Sequence, residues 1–235
     1  MATPKSIPTT VKDPDLVAQR RAEIVDVATR LFLKRGFHKT SIRDIARACP
    51  FNVASLYMYV SSKEDILFLV AQHLMAEKSR ALQNVKTRSA GPVEALKTAF
   101  QKYCEIVDRY RPHIKLMYRE LDVLPPDRQQ TVLESEMAVV DVFEGLIAEG
   151  IRCDVFRSVE PRLLAHDAIF LAHMWALKHW SLKRFTTFQQ FMAAQSDILL
   201  RTLIKPELSD DLMVSVNGGH REPQLPAPAY RGKPL

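Results

Sequence analysis

Apolar residues recur at three- and four-residue spacing along most of the chain, a period that predicts helices rather than strands. The first begins at an Asp13-Pro14 cap, carries Ile24, Val27, Ala28, Leu31 and Phe32 on one face, and stops at Gly36 behind Lys34 and Arg35. A short second helix starts at Thr40 or Ser41, with Asp44 three residues past Ser41, buries Ile42, Ile45 and Ala46, and halts near Cys49-Pro50. Asn52 caps an equally short third helix through Tyr57. Ser61-Ser62 followed by Lys63-Glu64-Asp65 reads as a capping box opening a long helix to about Lys86. Prolines punctuate the remainder of the chain. Helices are expected from Gly91-Pro92 to about Tyr110, from Pro112 to about Leu124, from Pro125-Pro126 to about Gly150, and over 161–183 and 187–204. An all-α fold results, divided into a flexible arm (1–12), a small helical unit (13–62), a larger helical body (63–204) and a disordered tail (205–235).

Two short helices joined by a tight turn, the second opening with small polar residues, form a helix-turn-helix whose second helix enters the DNA major groove. Asn52, Val53, Ala54, Ser55 and Tyr57 would face outward, while Leu56 packs inward against Ile45 and Leu31. Charge agrees with that reading. Residues 1–63 hold eleven Lys/Arg against five Asp/Glu, which accounts for the whole net charge of +6 and leaves 22 of each sign in the remainder. A basic end beside a neutral body suits a polyanion. Three cysteines, Cys49, Cys104 and Cys153, show no paired spacing and read as reduced thiols. With no run of eighteen apolar residues and no apolar leader in MATPKSIPTTVKDPD, the expectation is a cytoplasmic protein with no membrane partner.

Three segments then resemble the N-terminal signature of tetracycline-repressor-type (TetR family) transcription regulators. They are Thr40-Ser41-Ile42-Arg43-Asp44-Ile45-Ala46, Ser55-Leu56-Tyr57-Met58-Tyr59-Val60 and Ser62-Lys63-Glu64-Asp65-Ile66-Leu67, preceded by Ala28, Leu31-Phe32 and Arg35-Gly36-Phe37. The resemblance spans residues 20 to 70. It implies an N-terminal helix-turn-helix DNA-binding domain and a C-terminal helical ligand-binding and dimerisation domain. By position it places Thr40, Tyr57, Tyr59 and Lys63 at phosphates, and Arg43, Asn52, Val53, Ala54 and Ser55 at bases. Tyr57 and Tyr59 have packing aromatics as their bland alternative and Arg43 a solvated face, while Arg20 and Arg21 read equally as backbone contacts or surface charges. Pro50, Val53 and Val60 depart from the common pattern, where a turn glycine, a lysine and a phenylalanine are frequent.

Beyond the signature, polar-tipped aromatics, Met and His on the central helices are the pocket candidates: Tyr103, Tyr110, His113, Met117, Tyr118, Met137, Phe143, Phe170, His173, Met174 and Trp175. Nearby Arg109, Arg111, Lys115, Arg119 and Lys178 admit an acyl-CoA or another anionic amphiphile as small-molecule effector. The two final helices, with bulky residues opposed by alanines, are expected to form a homodimer interface through Ala172, Ala176, Phe188, Met192 and Leu199. Metal chelation is disfavoured: His166 and His173 lie two turns apart, and His179 is on another face. No phosphate loop, nucleophile elbow or paired-carboxylate motif marks an enzyme, and no cofactor is called for. The sequence therefore reads as a repressor that binds double-stranded operator DNA and is released by a small hydrophobic or amphipathic ligand. An activator or ligand-independent DNA binder on the same fold is the alternative.

Overall fold

The computed structural model describes residues 7–83, 85 and 91–208, and among these the regular structure is helical. Helix α1 (Pro14–Arg35) is capped by Asp13, whose carboxylate accepts from the amides of Asp15 and Leu16, and it ends at Gly36 with φ +87°, a left-handed conformation that glycine alone enters without strain. Helices α2 (Ile42–Ala48) and α3 (Val53–Tyr57) come next. Ser41 and Asp44 form a reciprocal capping box on α2; Asn52 caps α3 by accepting from the Ser55 amide at 2.8 Å. A second capping box, Ser62 with Asp65, opens α4 (Lys63–Leu82). Ile24, Ala28, Phe32, Ile45, Leu56, Val60 and Ile66, all fully buried, knit these four helices together.

The body comprises α5 (Pro92–Arg109), α6 (Arg111–Glu120) with a 3-10 turn at Leu121–Val123, α7 (Pro126–Arg152), α8 (Pro161–Leu177), the short α9 (His179–Leu182) and α10 (Phe188–Leu203). Helix α8 is the centre, packed on α5, α6, α7 and α10. Its alanines explain why: Ala165, Ala168, Ala172 and Ala176 are fully buried and let neighbouring helices approach closely. Helix α4 belongs to both halves, touching α1 at one end and α5 and α7 along its length.

Three expectations are revised, and a fourth falls largely outside the described residues. Residues 7–11 are not a free arm. Ile7 is buried, Thr9 donates to the Met58 carbonyl at 2.8 Å, and the Arg21 guanidinium donates to the carbonyls of Ile7 (2.7 Å) and Tyr59 (3.1 Å). Helix α4 ends at Leu82, and the expected extension to Lys86 lies largely outside the described residues. The helix expected over 161–183 breaks at Lys178 (φ −109°, ψ 14°), where Arg111 donates to the His179 ring and the Trp175 indole N–H donates to Asp108 at 2.7 Å. The first residues past 204 are held: Lys205 N donates to the Val155 carbonyl, its side chain pairs with Asp154, and Pro206–Leu208 make one helical turn. Residues 209–235 lie outside the described residues.

Candidate functional site

The exposed rim of α2 and α3 presents Arg43, Asn52, Ala54 and Tyr57, the last half exposed at 51%, while Val53 and Ser55 are partly exposed. Leu56 alone of α3 is buried, so the helix is anchored by one side chain and offers the rest outward. An open groove bordered by Lys39, Ser41, Arg43, Tyr57, Ser61 and Lys63 runs beside it. Cations and hydroxyls along a groove next to a short exposed helix suit a phosphate backbone flanking base edges.

Three expected phosphate contacts are otherwise engaged. Thr40 is 1% exposed and its hydroxyl donates to the Gly36 carbonyl at 2.8 Å, closing the α1–α2 turn. Tyr59 is 6% exposed, its ring packed against Phe51 and its carbonyl taken by Arg21. Lys63 donates to the Phe37 carbonyl at 2.9 Å with its ammonium 4.4 Å from the Phe37 ring centroid. Thr40 and Tyr59 hold the reading head together rather than face outward, and Lys63, although it borders the groove, spends its ammonium on Phe37. Lys39 and His38, absent from the expected set, are exposed at the groove; their only signal in the sequence was charge beside the motif.

A cavity of about 240 Å³ opens between α4, α6, α7 and α8. Leu74, Met75, Ile114, Met117, Val132, Val140, Ile169 and Phe170 make its walls, and Tyr118, Phe170 and Leu133, 44–58% exposed, stand at the mouth. Its polar groups are few and connected. The Lys78 ammonium meets both oxygens of Glu136 at 3.0 and 2.9 Å; Lys78 is 2% exposed, and Glu136 28%. The His173 ring is hydrogen bonded to Tyr103 (2.8 Å) through Nε2 and to Tyr118 (2.9 Å) through Nδ1. Burial, aided by the positive charge of Lys78, pulls the His173 pKa down to about 3, so the imidazole is neutral at pH 7.

Of the expected pocket residues, Met117, Tyr118, Phe170 and His173 line this cavity. The others do not. Tyr103 and Phe143 are fully buried edge to face (5.6 Å), Tyr103 lying behind the cavity, bonded to His173 and beneath the Lys78 ammonium. Tyr110 and His113 cluster with His73, Met137 meets Arg162, Met174 lies on the outer face of α8, and Trp175 stacks on Phe191. Lys78, Glu136, Met75 and His166 were missed because a residue's helix face says nothing about which helices surround a void.

Most of the residues expected at a dimer interface lie inside the protomer. Ala172, Ala176 and Leu199 are buried inside the protomer, and Phe188 packs on Trp175 at 5.7 Å. Met192 is partly buried. The unpartnered apolar face of the same two helices is instead Leu163 (59% exposed), Phe170 (58%), Leu164, Leu171, Met174 and Ile198 (49%). Small residues mark the tight inner side of α8, and bulky ones its outer side.

Comparison with known proteins fits this geometry. Residues 24–70 match the family described as bacterial regulatory proteins, tetR family, and residues 89–183 match the tetracyclin repressor-like C-terminal domain. HTH-type transcriptional regulator HbdR of Aromatoleum sp. (strain CIB) is 33% identical over 181 residues, 77% of this chain and 79% of that protein. The chain belongs to the tetR family. The tetR fold is also that of the ketosteroid transcriptional regulator KstR2 of Mycobacterium tuberculosis (TM-score 0.68, 20% identity, 85% of this chain and 99% of that one). It is shared by AibR, solved with isovaleryl coenzyme A and operator DNA (TM-score 0.68, 24% identity, 77% and 98%). As a tetR-family member the chain is a DNA-binding transcription regulator of helix-turn-helix type. Among the described residues no helix is long and apolar enough to cross a membrane, and no cluster of three His, Cys, Asp or Glu could hold a metal ion.

Proposed function

We propose that this regulator is a cytoplasmic homodimeric repressor, without catalytic activity, that leaves its operator when a small apolar or amphipathic molecule enters the α4/α6/α7/α8 cavity. One observation carries the reading. Helix α4 walls the cavity with Leu74, Met75 and Lys78, and its first turn holds the reading head: the Asp65 carboxylate accepts from the amides of Ser61 and Ser62 while pairing with Arg128 of α7. Displacing α4 or α7 to admit a ligand therefore moves the linker behind α3. Two reading heads meet successive major grooves only at about 34–36 Å spacing, so a small rotation of α4 is enough to mismatch them.

In the proposed head, Arg43, Asn52, Val53, Ala54 and Ser55 read bases and Tyr57 and Lys39 hold phosphates. Phe170 borders both the cavity and the outer apolar face of α8, which gives the dimer contact a direct route to the ligand. An acyl-CoA would enter through its acyl part alone, because 240 Å³ is smaller than the ~300–1,000 Å³ of drug-sized sites. Operator selected from a random duplex pool tests the proposal by fluorescence anisotropy. Filling the cavity with Ile169→Trp should lower operator affinity at least tenfold, about 1.4 kcal/mol, with unchanged helical circular dichroism. Operator binding indifferent to cavity filling would instead identify a ligand-independent DNA binder.

A further inference from the structure

Lys78 is the most deeply buried cation of the cavity, and its compensation is lopsided. Its ammonium rests on Glu136 and on the face of Tyr103, 5.7 Å from the ring centroid. Glu136, 28% exposed, stands close enough to water to rotate out; Lys78, at 2%, does not. An occupant that pushes Glu136 aside must then supply the acceptor that Lys78 loses, since a buried ammonium without a partner is strongly unfavourable.

The tyrosine–histidine chain adds a second donor. A neutral imidazole has one N–H and one bare nitrogen, so one tyrosine donates to His173 and the other accepts. Burial decides which. Tyr103 is fully buried with His173 its only hydrogen-bond partner among the described residues, so its O–H proton is satisfied on Nε2. Nδ1–H of His173 then donates to the Tyr118 oxygen, which leaves the Tyr118 O–H free for another acceptor at a residue that lines the cavity and is 49% exposed. With Glu136 swung out, the polar wall offers an ammonium and a hydroxyl donor against apolar surroundings. That is a wall for an acceptor-rich anion.

We propose that the cavity binds a small apolar carboxylate, one aromatic ring or a short aliphatic chain with a single carboxylate head, which displaces Glu136 and pairs with Lys78. The volume agrees: a cavity of about 240 Å³, below the ~300–1,000 Å³ of drug-sized sites, suits one ring or a short chain. Exchange of partners also gives the ligand its leverage, because Lys78–Glu136 ties α4 to α7, and a free carboxylate on Lys78 removes that tie. The inference rests on the cavity being the effector site.

Isothermal titration of the full chain with benzoate and hexanoate, against their neutral isosteres benzamide and hexanamide, tests it. The acids should bind at least about tenfold tighter than the amides, as expected for a charge-assisted contact. Glu136→Gln removes the competing charge and should tighten the acids by about tenfold while leaving the amides unchanged. Lys78→Met, which keeps the stem's volume, should erase the preference; should that variant fail to fold, Glu136→Gln decides alone. Amides that bind as well as acids, binding of neither class, or a Glu136→Gln variant with unchanged or weakened acid binding would overturn the proposal. Operator anisotropy on the same samples separates the two readings. Acid-selective binding that leaves DNA affinity untouched supports this inference and removes the release mechanism; release by the amides alone does the reverse.

Discussion

Lys63 carries its charge beside the recognition helix, yet the ammonium is committed to the Phe37 carbonyl and ring. Lys63→Ala should therefore cost about 1.5–3 kcal/mol of stability, the worth of a charged hydrogen bond, and leave the salt slope of DNA binding unchanged. Lys39→Ala, at an exposed groove position, should leave stability alone and flatten the slope of log K against log salt by about 0.9. Urea titration and anisotropy at graded salt read both, and the opposite assignment would return Lys63 to the phosphate contacts. His173 supplies a pH dependence. Its folded pKa of about 3 lies below the 6.5 of a free imidazole, so the unfolded chain takes up the proton first. Stability from this group is full above pH 6.5 and falls as pH drops toward 3, by at most about 1.4 kcal/mol per pH unit. His113, lowered to about 4 by burial and then by His73, adds a loss of the same sign over a narrower window. Neutral substitution of His173 by Gln should flatten the decline in urea midpoint between pH 7 and pH 5; an unchanged profile would show the imidazole to be charged in the fold. None of this was visible in the sequence, where Thr40, Tyr59 and Lys63 looked as available to DNA as Tyr57.

At the scale of elements, the caps were the most legible feature. Asp13, Ser41, Asn52 and Ser62 cap the helices that the sequence assigned to them, because a cap is satisfied within three residues and owes nothing to distant packing. The loop from Cys153 to Val159 was legible only as a turn. In the fold it is clasped to the end of α10, with Arg157 N donating to the Leu203 carbonyl at 2.8 Å and Phe156 buried over Gly150. A Cβ at Gly150 would come 2.0 Å from the Phe156 ring. Gly150→Ala, ordinarily favourable within a helix, should here destabilise by about 1–3 kcal/mol through overpacking. Thermal unfolding of that variant and of Gly150→Ala with Phe156→Leu checks the cause: the second change should recover part of the loss.

For the whole molecule, the proposed dimer makes the α8/α10 face the element that sets the distance between two reading heads. Phe170→Glu with Ile198→Glu places charges on the exposed apolar side and should give a folded monomer with lost operator affinity. Ala176→Glu, although on the same helix, buries a charge within the protomer and should unfold it. Sedimentation velocity and circular dichroism distinguish the two, and a double variant that stays dimeric would move the interface elsewhere.

The sequence by itself determined the helical class, the element boundaries to within a few residues, the capped helix-turn-helix and the sign of its partner, since periodicity, caps and charge segregation are local or additive. Tertiary structure decided which side of each helix meets which neighbour. Ala172 and Ala176 face inward because α8 is packed on four helices, Lys78 and Glu136 meet across 58 residues of chain at a void that no single helix encodes, and Arg21 is spent on the carbonyls of Ile7 and Tyr59. A helix carries the same residues on all its faces whatever it packs against, and only the assembled fold assigns those faces to core, cavity, partner or DNA.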